Sequence, residues 1–246
     1  MKRWLFAGIC DKSDFILYVS KILASAGHKV LVVDATARQK YIYSIGSVDS
    51  YMSITQFSGF DVAISFQSNT HLEQYLSEEE AGIEQYDYVL YDIDIVSFCS
   101  EVCWQEAEGR IWLTTFERYC VEKSAAWFEQ LLSEYSGLQS LSPALKFNQV
   151  YLNTVDWHFE ETYIHSFVEH LPFEWDTDAE QVVIPWDEMN YAIKLENEYN
   201  RTLRMKQLSH SYLRGLSALI CHLSNIQVTD IKRAIKVSKR AGRGSS

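Results

Sequence analysis

The apolar run from Leu5 to Ile9 is followed by the polar stretch Asp11 to Asp14, after which Phe15, Ile16, Val19, Ile22, Leu23 and Ala26 recur at helical spacing until Gly27. This pattern predicts a strand, a loop and a helix ended by glycine. Val30 to Val33 then form an unbroken apolar run closing on Asp34, the mark of a strand covered on both faces. Together the three segments predict a βαβ unit, whose strands are parallel and whose crossover is right-handed.

The alternation continues downstream. Asp61–Phe66, Tyr86–Asp92, Arg110–Phe116, Phe147–Asn153 and Gln181–Ile184 read as strands. Between them, His71–Ala81, Ser97–Glu108, Cys120–Tyr135 and Glu161–His170 read as helices, and Gly137–Pro143 as a loop. In the third of these helices Val121, Trp127, Phe128, Leu131 and Leu132 mark the inward face. Strands alternating with helices predict an α/β fold with a mostly parallel sheet flanked by helices. After Pro185 the pattern is helical only, with a stripe at Leu208, Tyr212, Leu216, Leu219, Ile220 and Leu223 that must pack on the sheet or on a partner. The expected layout is one α/β domain over residues 1–200, a C-terminal helix at 201–230 and a basic tail at 231–246, whose final residues read as disordered.

With 246 residues, 47% of them apolar, the chain is long enough to bury a large core without staples. Five cysteines form no even framework and Cys99 with Cys103 has helical spacing, which excludes a disulfide scaffold and points to a reducing cytoplasm. No leader peptide or membrane-spanning run is expected. The 22 basic and 33 acidic residues give a net charge of −11. Six of the basic residues (Lys232, Arg233, Lys236, Lys239, Arg240 and Arg243) lie in the tail, where there is no acid. The acidic body does not suit nucleic acid, whereas the tail could approach phosphates or anionic lipid, or serve only as a solvated end.

Ligands of open parallel sheets bind beyond the carboxyl ends of the strands. The residues to interrogate there are Gly8 to Ser13, Asp34, and Asp92 with Asp94. Lys12-Ser13 fits the end of a phosphate loop, in which a lysine reaches the β- and γ-phosphates and a hydroxyl binds Mg²⁺. The glycines of that loop do not fit, because Phe6 and Asp11 stand in their places. A carboxylate at the second position opposes an anion by about 4 kcal/mol for charges some 4 Å apart at intermediate dielectric.

The order strand, GICDKS, helix, HKVLVVDA, and later YDYVLYD resembles the deviant Walker A ATPases of the MinD/ParA family, which includes the TadZ/CpaE pilus-assembly proteins. The likeness runs from Lys2 to about Ala192 and extends to Val150–Asn153 and Ile184-Pro185. It implies a P-loop NTPase fold with ATP and Mg²⁺ as cofactors. Lys12 would match the P-loop lysine, Ser13 the Mg²⁺ hydroxyl, Asp92 the Walker B carboxylate and Asn153 the base contact, with Gly8, Asp11 and Asp34 at the same site and Pro185 beside the adenine. Four departures strip out hydrolytic parts. Ala7 replaces the family's signature lysine, Asp11 the second glycine, Thr36 the water-orienting aspartate, and Ile93-Asp94 the start of switch II. Phosphoryl transfer rests on positioning and charge stabilisation, so each loss removes a separate contribution.

Other constellations carry less. Cys99 and Cys103 lack a nearby histidine for zinc, and His158, His165 and His170 lack the spacing of HExxH. No serine sits in a G-x-S-x-G elbow. Ile231, Ile235 and Val237 interleave with the tail's basic residues, compatible with an amphipathic helix on a membrane surface, a use that the MinD branch also implies. The expectation is a degenerate MinD/ParA-like localisation or assembly factor for a pilus, secretion, flagellar or partition apparatus. It would work in the cytoplasm or at the inner face of the membrane, bind protein partners, and form a homodimer if the likeness carries that far. An ATP-dependent dimerising ATPase switch is the second expectation, and a DNA-associated partition factor the third.

Overall fold

The computed structural model describes residues 1–46, 54–79, 81–155, 161–176 and 182–240. β1 (Lys2–Ala7), α1 (Ser13–Ser25) and β2 (Val30–Ala35) form the opening unit. A short helix, α2 (Tyr41–Ile45), follows, and β3 (Ile54–Phe57) and β4 (Phe60–Ala63) lead to α3 (Asn69–Glu78). Then come β5 (Tyr88–Ile93), α4 (Glu101–Glu106), β6 (Gly109–Thr114), α5 (Arg118–Glu134) and β7 (Lys146–Thr154). α6 (Glu161–His165), β8 (Glu174–Trp175), β9 (Val182–Pro185), α7 (Glu188–Asn200), α8 (His210–Leu223) and α9 (Val228–Ser238) complete the chain.

The strands make one sheet in the order β3-β4-β2-β5-β1-β6-β7-β8, with β9 also on β7. Every pairing is parallel except β3 with β4. β1 lies between β5 and β6, with Phe6 level with Asp92 and with Ile111. β2 lies on the other side of β5, which puts Asp34 directly opposite Asp92. The sheet is therefore covered on both faces, and each face has its own core. One core joins α1, α8 and α9 through Phe15, Ile16, Val19, Leu216, Ile220 and Ile231. The other joins α4 and α5 through Trp104, Val121, Phe128 and Leu131.

α1 is buried at Ser13 and from Phe15 through Leu23, because the sheet covers one side and α8 and α9 the other. This explains why its sequence is more apolar than an amphipathic surface helix requires. Two glycines permit close approaches. Gly8, at φ +130°, leaves β1 so near β6 that a Cβ would lie 2.1 Å from the Leu113 carbonyl oxygen, and a Cβ on Gly215 would lie 2.2 Å from Ile184 Cδ1.

Several expected boundaries shift. β4 ends at Ala63, and its partner β3 was not expected; Ser58-Gly59, both at positive φ, make the tight turn between them. The helix expected over Ser97–Glu108 shrinks to α4, since Ser100 caps its start by accepting from Cys103 N. The helix expected over Glu161–His170 holds helical form only to His165. The two-residue β8 is too short to leave a periodic signal. Gln181, His158 and Arg243 lie outside the described residues.

Candidate functional site

The carboxyl ends of β1, β2, β5, β6, β7 and β9 open on the same side, and the residues that follow them build the site. The turn between β1 and α1 carries Gly8 to Lys12. Lys12 is buried, with Nζ 2.6 Å from Asp92 Oδ1, and it donates to the Gly8 carbonyl at 2.7 Å. Tyr41 of α2 donates its hydroxyl to Asp92 Oδ2 at 3.0 Å, so both Asp92 oxygens are engaged. Burial works against the charge on Lys12, but Asp92 outweighs it and raises the lysine above its ordinary value.

Asp11 is held more tightly still. Its Oδ2 accepts from Lys40 at 2.7 Å and from Lys194 of α7 at 2.8 Å, while Oδ1 accepts the Ser13 hydroxyl at 2.9 Å and the Ser13 amide at 3.4 Å. Burial alone would raise this carboxyl; Lys194 and Lys40 overcome it and hold the group well below the usual carboxylate range. Lys194 is also 3.6 Å from Asp14. Asp14 and Asp11 outweigh its burial and raise it above the ordinary lysine value. The first turn of α1, whose free N–H groups and dipole favour an anion, thus already faces the chain's own carboxylate.

The depression over Lys12, Ser13, Asp92 and Asp94 measures only about 20 Å³, of the order of the space one water needs. As folded, it does not fit a phosphoryl group. Beside it lies a cavity of about 580 Å³. Its walls come from the β1–α1 turn, the segment after β6 (Thr115 to Cys120), the end of β7 (Leu152, Asn153) and the β9–α7 junction (Ile184 to Lys194).

The expected site residues therefore divide. Asp11, Lys12, Ser13 and Asp92 line the small depression, and Asp11, Asn153 and Pro185 line the cavity. Gly8 lies beneath the turn as the acceptor for Lys12. Asn153 has φ +54° where the β7–β9 register shifts, an αL position that asparagine tolerates. Asp34 is on neither wall. It is buried behind Asp92, with Oδ1 accepting from the Thr36 amide (3.1 Å) and hydroxyl (2.6 Å), and Oδ2 is among the buried atoms without a hydrogen-bond partner.

The sequence did not single out Lys40, Tyr41 and Lys194. Lys40 and Lys194 are 29 and 183 residues from Asp11 in sequence. Cys99 and Cys103 are core residues, and among the described residues no group of His, Cys, Asp and Glu is arranged to hold a metal. His170 pairs with Glu129 at 3.1 Å.

At the C-terminus, the apolar side of α9 is turned inward, with Ile231 and Ala234 buried and Ser238 donating to Ser25 Oγ of α1. A membrane contact through that side would require α9 to leave α1. Lys232, Arg233, Lys236 and Arg240 face outward, with Lys239 half-buried. Among the described residues no helix is long and apolar enough to cross a membrane.

No family model and no curated protein matches the sequence. Solved structures do match the fold. The MinC:MinD cell division complex of Aquifex aeolicus aligns with a TM-score of 0.53 at 12% identity over 100% of this chain and 98% of the other. A putative plasmid partition protein of Borrelia burgdorferi bound to AMPPNP gives 0.56 at 14% over 92% and 99%. Apo McdA of Cyanothece gives 0.50 at 13% over 96% and 99%. The chain has the MinD/ParA-like P-loop NTPase fold.

Proposed function

We propose that this MinD/ParA-fold protein localises or assembles a larger cellular machine through protein contacts, with ATP hydrolysis weak or absent. The observation that carries this reading is Asp11. Its carboxylate takes the helix start, the Ser13 hydroxyl and two lysines, the groups on which a polyphosphate and its Mg²⁺ would depend. Lys12 is committed to Asp92 and Gly8 in the same way. A nucleotide entering this turn would have to displace a carboxylate from two ion pairs and then tolerate it nearby. Function through partner proteins fits such a turn, because it needs the fold's surfaces rather than turnover. One fold neighbour is itself a complex of two proteins, MinC and MinD.

A dimerising ATPase switch is the second reading, favoured by one observation: Lys12, Ser13 and Asp92 still converge on one depression. It requires Asp11 to swing out and release Lys40 and Lys194. The test is Mg-ATP binding and turnover by the wild type, Asp11→Gly and Ser13→Ala. We expect no measurable turnover in the wild type and at least tenfold tighter ATP binding in Asp11→Gly, about 1.4 kcal/mol. Robust wild-type hydrolysis that disappears in Ser13→Ala would overturn the proposal in favour of the switch.

A further inference from the structure

The outer side of α7 is inverted relative to an ordinary surface helix. Asn190, Ile193 and Asn197 are its buried residues, so the side turned to solvent carries apolar residues where polar ones normally stand. Tyr191, Leu195 and Tyr199 follow one another at i, i+4 and i+8, with Ala192 alongside, and form one row. Their exposures are 54%, 47% and 89%. α2 stands beside this row, where its Ser44 shares a small depression with Lys194 and Glu198, and it adds Tyr43, 72% exposed. With side chains of this kind burying roughly 150–250 Å² each when covered, the four leave roughly 500 Å² open. A patch of that size on a monomer is commonly functional. It is enough for the apolar centre of a standard interface, about 800 Å² per partner, and too little for an obligate dimer.

The charges bordering the row decide what can cover it. Among the described residues Glu188 and Glu198 enter no ion pair, and Glu196 is paired with Arg204 at 3.1 Å. Lys194, which also feels Glu198, is already shared between Asp11 and Asp14, and Lys40 is held by Asp11. Asp187 is spent as the cap of α7, accepting from Asn190 N, and Arg201, beyond the last turn, lies toward Gly46 at the end of α2. The border is therefore acidic. A second copy laid on the row would bring glutamates against glutamates, and an anionic lipid surface would meet the same repulsion. We infer that this row docks a helix of a partner protein whose apolar stripe is bordered by lysine or arginine. The inference rests on the reading that the protein works through protein contacts, and it names the surface and the chemistry of the partner. Side chains at i, i+4 and i+8 make the ridge that a facing helix receives in its grooves, and the 13 residues of α7 offer it about 20 Å of length.

The experiment titrates the full chain with synthetic helical peptides of about five turns that share one leucine stripe and are bordered by lysine, by glutamine or by glutamate. The expected result is saturable binding of the lysine-bordered peptide at or below about 100 μM, roughly tenfold or more tighter than the glutamate-bordered one, with new hydrogen-exchange protection in α7. Leu195→Ser and Tyr199→Ser, exposed changes checked by an unchanged urea midpoint, should each weaken that binding by roughly fivefold or more. Glu188→Gln/Glu198→Gln should weaken it by roughly two- to fivefold, and less so at high salt. The inference is overturned if the lysine-bordered peptide does not saturate or if the glutamate-bordered one binds as well. It is also overturned if Leu195→Ser and Tyr199→Ser leave the affinity unchanged, because the acidic body as a whole would then be attracting the peptide. Dimerisation of the free chain, or its binding to phosphatidylglycerol vesicles, that Leu195→Ser abolishes would give the row to another occupant and overturn it too. The broader reading fails separately, by robust ATP turnover.

Discussion

Replacing Asp34 with asparagine isolates the electrostatic cost of keeping a carboxylate buried beside Asp92. Asp34 is 2% exposed and faces Asp92 across the β2–β5 pair. Burial raises its carboxyl from 3.8 to about 6, with Asp92 pushing the same way and the Thr36 and Tyr41 hydrogen bonds pulling back. Lys12 is bound to Asp92 instead. A carboxyl with a raised folded value binds its proton more tightly in the native state than in the unfolded chain. The stability this provides is full below about 3.8 and is lost as pH rises through about 6. At 1.36 kcal/mol per decade of proton affinity, that displacement is worth ~3 kcal/mol. Asparagine keeps an oxygen for Thr36 and carries no charge at any pH. Urea unfolding of wild type and Asp34→Asn at pH 4, 6 and 8 should therefore show the variant gaining about 2–2.5 kcal/mol on the wild type across that range, the rest having been lost already by pH 4. Its new amide donor, lacking an acceptor, offsets the whole curve by about 1–3 kcal/mol without changing its slope. A stability gap that is the same at all three pH values would refute the argument.

Asp11 has the opposite sign. Its lowered folded value means that its contribution is present above pH 3.8 and fades as pH falls below that. Asp11→Asn should thus narrow the stability difference from wild type progressively on the acid side, read by the same unfolding curves. Lys12→Met leaves Asp92 buried without its cation and should cost about 3–5 kcal/mol, most of it recovered in the double variant Lys12→Met/Asp92→Leu. Gly8→Ala meets the Leu113 carbonyl at 2.1 Å from a φ of +130°, and we expect loss of soluble, folded protein or a drop in Tm of many degrees. Leu216→Ala empties a fully buried place under α8 and should lower unfolding stability by about 2–5 kcal/mol.

The central sheet was legible because burial on both faces leaves a plain mark. Val30–Val33 and Tyr88–Tyr91 are continuous apolar runs, and the strands they form sit next to each other in the middle of the fold. The stripe from Leu208 to Ile220 was equally plain, since α8 buries one side and exposes the other. β3 was harder. The part of this edge hairpin that faces solvent needs no alternation strong enough to stand out, and its turn uses Ser58-Gly59 rather than Asn-Gly. α7 resists reading for another reason. It turns Asn190, Ile193 and Asn197 inward and leaves Met189, Tyr191, Leu195 and Tyr199 exposed, so its periodicity points the wrong way. Its inner side is polar because Asn190 holds Ser209, the cap of α8, and Asn197 holds Tyr18 and Arg204.

That inversion bears directly on the site. A lysine on a helix with a polar inner side reads as surface, yet it is this side that delivers Lys194 to Asp11. Local sequence could identify Asp11 as a misfit in a phosphate loop, since any side chain there crowds the place of an anion. It could not reveal how the misfit is tolerated, because the compensating charges come from the β2–α2 connection and from α7. An unpaired carboxylate at a helix N-terminus would still be favoured by the dipole, but it would be free to rotate away and admit a competitor. Two lysines converging on one oxygen fix its position. Asp11 and the two lysines on it, Lys40 and Lys194, therefore act as one unit, and removing either lysine alone should loosen the turn less than removing both. Hydrogen exchange in the first turn of α1, compared among Lys40→Met, Lys194→Met and the double variant, measures that coupling. Strictly additive protection losses would mean that the two contacts are independent, and that Asp11 is held by something other than their joint grip.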